Sequence, residues 1–421
     1  MKKRAFSAAL AAFIILTSTP FAFADSGANT QADSTADAAG APIRLSLKEA
    51  VQIMQTTGTA AETAEINRQS DKAIAEGYSE TVNTIKKTLD GLDALSSAAK
   101  MYSQLPQPEA AAMVAKLNAA YWSGSAEAQS GGATQVNRKI TELRRDFAKE
   151  HVDSNYQAEM NQIEYNTVQV YYGVLLARDN LKIAQDNLKA QQDILKDTQA
   201  QFNVGMVAKK DVLSAQASLE TAKSDLAAAE TKLENAKMGF NYLLGYPVKQ
   251  EVVFTDELTE VSGPAITVDE AVRSAQENRN EISGANFARD VHGILLDSLT
   301  YQYPSNSSTY LNQKVTYMNA EKTAKDAPSQ IEIDIRNRSS ELDDLKAAVQ
   351  SARATREYAE EGYRLTRLSY EAGMGTLSEV QAMQVTAYRA SLGVAAAVTN
   401  YDLAVYDYNY AVSVGTTRLP L

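Results

Sequence analysis

The chain has 421 residues, a formal net charge of -11, no cysteine and only two histidines. That balance disfavours nucleic acid as a partner and rules out a disulfide framework, a thiolate metal site or an N-terminal lipoprotein cysteine. Glycine and proline are sparse (20 and 9), while Ala, Leu, Gln, Glu and Lys dominate the middle, so long helices are favoured over a sheet-rich globule.

Met1–Arg4 is basic, Ala5 to Thr17 is apolar, and Ala22-Phe23-Ala24 is a small-x-small cleavage site. Residues 1–24 read as a secretory signal peptide, since the apolar run is short for a membrane anchor. Export into the cell envelope follows. Residues 25–43 form an Ala/Asp/Ser/Gly/Thr tract expected to be a disordered linker.

The first repeat is assigned to residues 44–247. Ser46 with Glu49 reads as a capping box at its start, followed by helix to about Tyr102 with a break near Thr57-Gly58. Residues 104–135 carry two prolines and three glycines and read as an insert with one short helix around Glu109 to Tyr121. From Val136 the helical pattern runs to Gly205, and at ~1.5 Å per residue such a helix is on the order of 100 Å long. Val174, Leu181, Leu188, Leu195 and Phe202 recur every seven residues, as do Ala184, Gln191 and Thr198. Beyond Gly205, Val212, Leu219, Leu226, Leu233 and Phe240 form one seam line and Ala215, Ala222, Ala229, Ala236 and Leu243 the other. A strict seven-residue repeat in both arms implies a left-handed antiparallel coiled coil.

Residues 248–265 are a connector with some strand character at Glu251–Phe254. A second repeat follows over residues 266–415, opening on Thr267 and Glu270 in the roles of Ser46 and Glu49. It is expected to hold a helix from Asp269 to about Tyr301, a loop at Pro304–Ser308 and a long helix to Glu371 interrupted near Pro328. Residues 308–318 are weakly strand-like. Leu342, Val349, Arg356, Tyr363 and Tyr370, then Val380, Ala387, Val394, Tyr401 and Tyr408, repeat the seams of the first half. Residues 416–421 are a C-terminal tail.

The two halves match most closely where each heptad run is interrupted. Phe202 falls on Tyr370, Gly205 on Gly373, Met206 on Met374, Asp211 on Glu379 and Gln216 on Gln384. A glycine just past a helix end is the usual left-handed cap, and Thr376 with Glu379 reads as the capping box of the next helix. Both stretches therefore read as tips of helical hairpins, and the chain as a duplicated, mainly all-α architecture.

Phe202 to Val212, together with Leu45–Ala50 and Val268–Ala271, resembles the hairpin tips and repeat starts of the TolC-like outer-membrane efflux protein family. The resemblance spans about Leu45 to Gly415. It implies a homotrimer whose hairpins form an α-helical tunnel, in the outer membrane or periplasm, with its tips on a periplasmic adaptor and, through it, an inner-membrane transporter. Such a protein is an exit duct for efflux or secretion and not an enzyme, and it needs no cofactor or metal.

The resemblance also assigns residues. Phe202, Gly205, Met206, Tyr370, Gly373 and Met374 would dock the adaptor. Asp211, Tyr370 and Glu379 would close or ring the entrance. Plain helix capping is the competing reading for Asp211 and Glu379, and seam packing for Phe202 and Tyr370. Gly375 stands where the family carries a closure arginine and Ala382 where a second ring acid occurs, which implies a weaker latch. Neither insert shows the 9–11-residue alternation of membrane strands, so a β-barrel reduced or absent is expected. The alternative function is an exported coiled-coil scaffold that conducts nothing. An adaptor identity is disfavoured by the two hairpins and the lack of strand-rich flanks.

Overall fold

The computed structural model describes residues 42–421. The expected signal peptide and nearly all of the linker lie outside the described residues, and Ile43 at the linker's edge is already paired in a strand. The elements run β1 Ile43–Leu45, α1 Leu47–Thr56, α2 Thr59–Tyr102, α3 Pro108–Ser130, α4 Gln135–Asn203, α5 Lys209–Leu244, β2 Val252–Phe254, α6 Val268–Asn278, α7 Asn280–Thr300, α8 Ser308–Glu371 and α9 Leu377–Val412. Two long hairpins, α4–α5 and α8–α9, form the body. The 69 residues of α4 make a rod about 100 Å long.

The alternation of seams holds in three dimensions. Val212, Ala215, Ala222, Ala229 and Phe240 are buried on α5, facing Ala184, Gln191 and Thr198 on α4. Val380, Ala387, Val394, Tyr401 and Tyr408 are buried on α9, with Leu342, Val349 and Tyr370 on α8. Each repeat opens with the capping box read from its sequence: Ser46 with Glu49 and Thr267 with Glu270.

Four expectations are corrected. The insert helix is 23 residues long and passes straight through Gly124, because that glycine marks a close approach to Leu92 of α2 rather than a helix end. Residues 308–318 are helical, capped by Ser307; Leu311, Val315 and Met318 are spaced by four and three, which is a helical period. Pro328 does not interrupt α8. Its carbonyl instead accepts from Gln276 Nε2 on α6 at 3.0 Å. The first helix of the second repeat is divided at Arg279, whose backbone is extended (φ -68°, ψ 126°). The side chain holds the break by pairing with Glu281 and Asp334 and by donating to the Ala411 carbonyl. This break is the counterpart of Thr57-Gly58, so the duplication runs deeper than the tips.

The connector closes the joint between the repeats. β1 and β2 pair in parallel, with Ile43 opposite Val252 and Leu45 opposite Phe254. Tyr171, Phe240 and Phe254 meet edge to face below them. Asp256 accepts from the Leu47 N–H at 2.6 Å and from the Tyr171 hydroxyl at 2.8 Å, capping α1 from across the chain. The last residues are tied down as well. Asn155 and Leu419 exchange two hydrogen bonds of 2.9 Å, and Arg418 pairs with Glu159 and the buried Asp71.

Asp402 of α9 is completely buried in this joint, where it accepts from the Val261 N–H at 2.9 Å. Burial pushes its carboxyl up to about 6, opposed by the Val261 hydrogen bond. The unfolded carboxyl loses its proton near 4 and the folded one only near 6, so the native state holds the extra proton in that window. Stability from this group is therefore greatest below about pH 4 and falls as pH rises to 6, by about 3 kcal/mol in all. Asp402→Asn is expected to flatten the thermal midpoint measured between pH 4.5 and 7.5 relative to wild type; an unchanged profile would place the titration elsewhere.

Candidate functional site

The hairpin tips are built by backbone chemistry. Each first arm ends in a Schellman turn. Met206 N–H bonds the Gln201 carbonyl and Gly205 N–H the Phe202 carbonyl; Met374 and Gly373 repeat this with Ser369 and Tyr370. The turns need positive φ, 76° at Gly205 and 72° at Gly373, a region that costs a residue with a Cβ. The second arms start on caps, reciprocal at Thr376 with Glu379 and one-way at Ala208 with Asp211. Asp211 accepts from the Ala208 N–H at 3.0 Å and Glu379 from the Thr376 N–H at 2.8 Å. These N–H bonds to Thr376 hold the Glu379 carboxyl below its ordinary value.

The two tips lie side by side. The Met206 methyl comes within 3.5 Å of where a Cβ on Gly373 would stand. Val204, Met206 and Met374 form an apolar crown, 71%, 61% and 81% exposed. Phe202 is 37% exposed under the Lys209 ammonium, 5.6 Å from the ring centre, so it does not pack in the seam as expected of its heptad position. Its counterpart Tyr370 does. It is 4% exposed among Ile194, Ala215, Leu377 and Val380, and its hydroxyl donates to Thr198 at 3.1 Å. Burial pushes the Tyr370 phenol up, with the Asp211 and Asp197 charges adding to the shift.

Thus the tip residues named from sequence converge at one end, but Asp211 and Glu379 are each engaged in their own helix caps, and the partner of Tyr370 is Thr198. What the sequence reading missed is the set of bridges between hairpins. Arg367 reaches Asp197 at 2.8 Å and Glu371 at 2.9 Å. Gln201 donates to the Tyr370 carbonyl, Gln381 meets both Ser214 and Ser218, and Gln384 donates to Asn187 at 3.1 Å inside the seam. Polar residues at heptad-core positions such as Gln191 and Thr198 were the available signal.

Residues 109–245 match the outer membrane efflux protein family. They cover α3 to the end of the first hairpin. The chain carries an outer membrane efflux protein domain. Its fold is similar to the open state of the MtrE outer membrane channel of Neisseria gonorrhoeae, with a TM-score of 0.56 and 16% identity over 88% of this chain and 90% of that one. CusC gives 0.51 and 15% over 66% and 74%, and VceC of Vibrio cholerae 0.51 and 12% over 66% and 77%. No curated protein matches the sequence. At these identities the solved structures bear on the fold, which is that of TolC-like helical tunnels. The strands among the described residues are two of three residues each, in line with the reduced or absent barrel expected from the sequence.

Replacing Gly373 by Ala is expected to cost on the order of 1 kcal/mol or more, because a Cβ is strained at this positive φ. Tyr370→Phe, which leaves Thr198 without its partner, is expected to cost about 1 kcal/mol. Chemical denaturation of the purified variants checks both.

Proposed function

We propose that this chain is one protomer of a trimeric exit duct in the cell envelope. Its paired tips dock the helical hairpins of a periplasmic adaptor, which links it to an inner-membrane transporter. The observation that carries this reading is the apolar crown of Val204, Met206 and Met374 on two abutting turns of a TolC-like hairpin pair. Exposed apolar side chains at the end of a rigid rod suit helix-to-helix docking.

Assembly is supported by faces that one chain leaves uncovered. Leu181 and Leu188 on α4 and Leu219 and Leu226 on α5 stay half-exposed although they keep strict heptad spacing. On α8, Tyr358, Leu365 and Leu368 form an exposed stripe. In a ring of hairpins these positions pack against the neighbouring copies. Asp211, Glu379 and Tyr370 then sit near the entrance, with the Arg367–Asp197 bridge holding the two hairpins of each protomer together.

The helical form of residues 104–135 and 301–318 favours one alternative, an exported scaffold that docks an adaptor but conducts nothing. Light scattering on the mature protein, with and without detergent, separates the readings: a trimer is expected, and a monomer in both conditions would remove the duct. Val204→Asp with Met374→Asp is expected to weaken adaptor binding at least about tenfold while leaving the trimer intact, since an exposed apolar contact is replaced by a charge that must be desolvated. Pull-down with a periplasmic adaptor encoded beside this chain measures it.

A further inference from the structure

About 50 Å from the tip along α4, where the start of α1, the connector and α9 converge, lies a cavity of about 500 Å³. This is the size of a small-molecule site. Its floor is apolar, made by Leu47, Val51, Val168 and Leu175. Above the floor stand the rings of Tyr172 and Tyr406, with centroids 6.1 Å apart and planes at 63°. The two rings are in edge-to-face contact, and a ring face turned to the cavity attracts a positive group.

The polar lining is rich in acceptors. Glu164 lines the cavity, half-buried, and Gln55 Nε2 donates to its Oε2 at 3.1 Å. Both bonds to Asp256 end on Oδ2, which leaves Oδ1 for another partner. Glu257 adds a third carboxylate at the exposed rim. Behind Tyr172 and Val261 lies the fully buried Asp402, whose Oδ2 has no hydrogen-bond partner. Three carboxylates line the cavity against one lining cation, Lys48. The Arg178 guanidinium is committed to the carbonyls of Phe254 and Asp256, and Lys48 is an exposed rim residue.

We propose that this cavity binds a small organic cation, an ammonium group carried on an apolar body. The ammonium sits against the tyrosine pair and beside the Glu164 carboxylate, and the body covers the aliphatic floor. Cation–ring attraction and a partly desolvated carboxylate act together on such a ligand. An anion of the same shape meets three carboxylates, and a neutral analogue forgoes both attractions. The site is far from the tips and does not depend on the duct reading.

The test is calorimetric titration of the purified chain with benzyltrimethylammonium chloride at low ionic strength, with benzyl alcohol and benzenesulfonate as controls. Saturable binding of the cation is expected, at least about tenfold tighter than either control. Glu164→Gln preserves shape and the Gln55 contact, and should weaken binding about fivefold or more with an unchanged thermal midpoint. Tyr406→Leu should weaken it similarly, whereas Tyr406→Phe, which keeps the ring, should bind as wild type. Absence of saturable binding to wild type would overturn the assignment. Equal affinity for benzyl alcohol would do the same, as would a Glu164→Gln variant that binds as wild type.

Discussion

The architecture depends on how closely the two arms of each hairpin approach. Alanines at Ala215, Ala222 and Ala229 are buried against Ala184, Gln191 and Thr198, so the seam is lined by short side chains. Small residues bring backbones near enough for polar groups to span the gap. Between the hairpins, Gln384 of α9 reaches Asn187 of α4, and Tyr370 of α8 reaches Thr198 of α4. A buried amide pair is satisfied in one register only, and a slip by a heptad would leave both groups without partners. The alanine line therefore sets distance, the polar pairs set register, and together they place the two glycine turns at the same level.

That levelling gives the tips their chemistry. Because Asp211 and Glu379 sit in the first turns of α5 and α9, their charges complement the exposed N–H groups there as well as any neighbour across an entrance. Capping and gating are compatible for such an acid. The cap fixes the carboxylate's position, and a fixed charge is what a ring of protomers would share. The two hairpins of one chain are also tied by charge near the tips. Arg367 ties α8 to Asp197 of α4, and both partners are only part-exposed. An ion pair in that setting is stronger than a surface pair, though it still depends on the desolvation being matched.

At the opposite end of the hairpins, helix takes the place of the expected irregular inserts. The sequence of α8 between Ser308 and Met318 contains β-branched and aromatic residues, which is why it reads as weakly strand-like. Its apolar spacing nevertheless follows four and three, and Ser307 supplies a cap to Tyr310 N–H. Local propensity gives way when a cap, a continuing helix and a packing face in α7 agree. The glycine at position 124 carries the same lesson. In a loop-rich stretch it suggests a break, but its lack of a side chain is used for contact with Leu92.

Much of this fold was legible because its signals are periodic or covalent in nature. Seven-residue spacing, two capping boxes and two positive-φ glycines are local, and all five reappear in the structure where the sequence places them. The tip residues could be named for the same reason, although the partner of Tyr370 could not, since Thr198 comes from the other hairpin. The breaks between short and long helices show the limit most clearly. At Thr57-Gly58 the break is announced by glycine. At Arg279 no glycine or proline ends the helix: the extended backbone is held by nearby Glu281 and by the distant Asp334 and Ala411 carbonyl, and Asn280 is buried to donate to the Thr417 carbonyl. Those groups come from three separate parts of the chain. A helix end that is enforced by tertiary ion pairs leaves no mark at its own position, so the second copy of a feature can be invisible even where the first is plain.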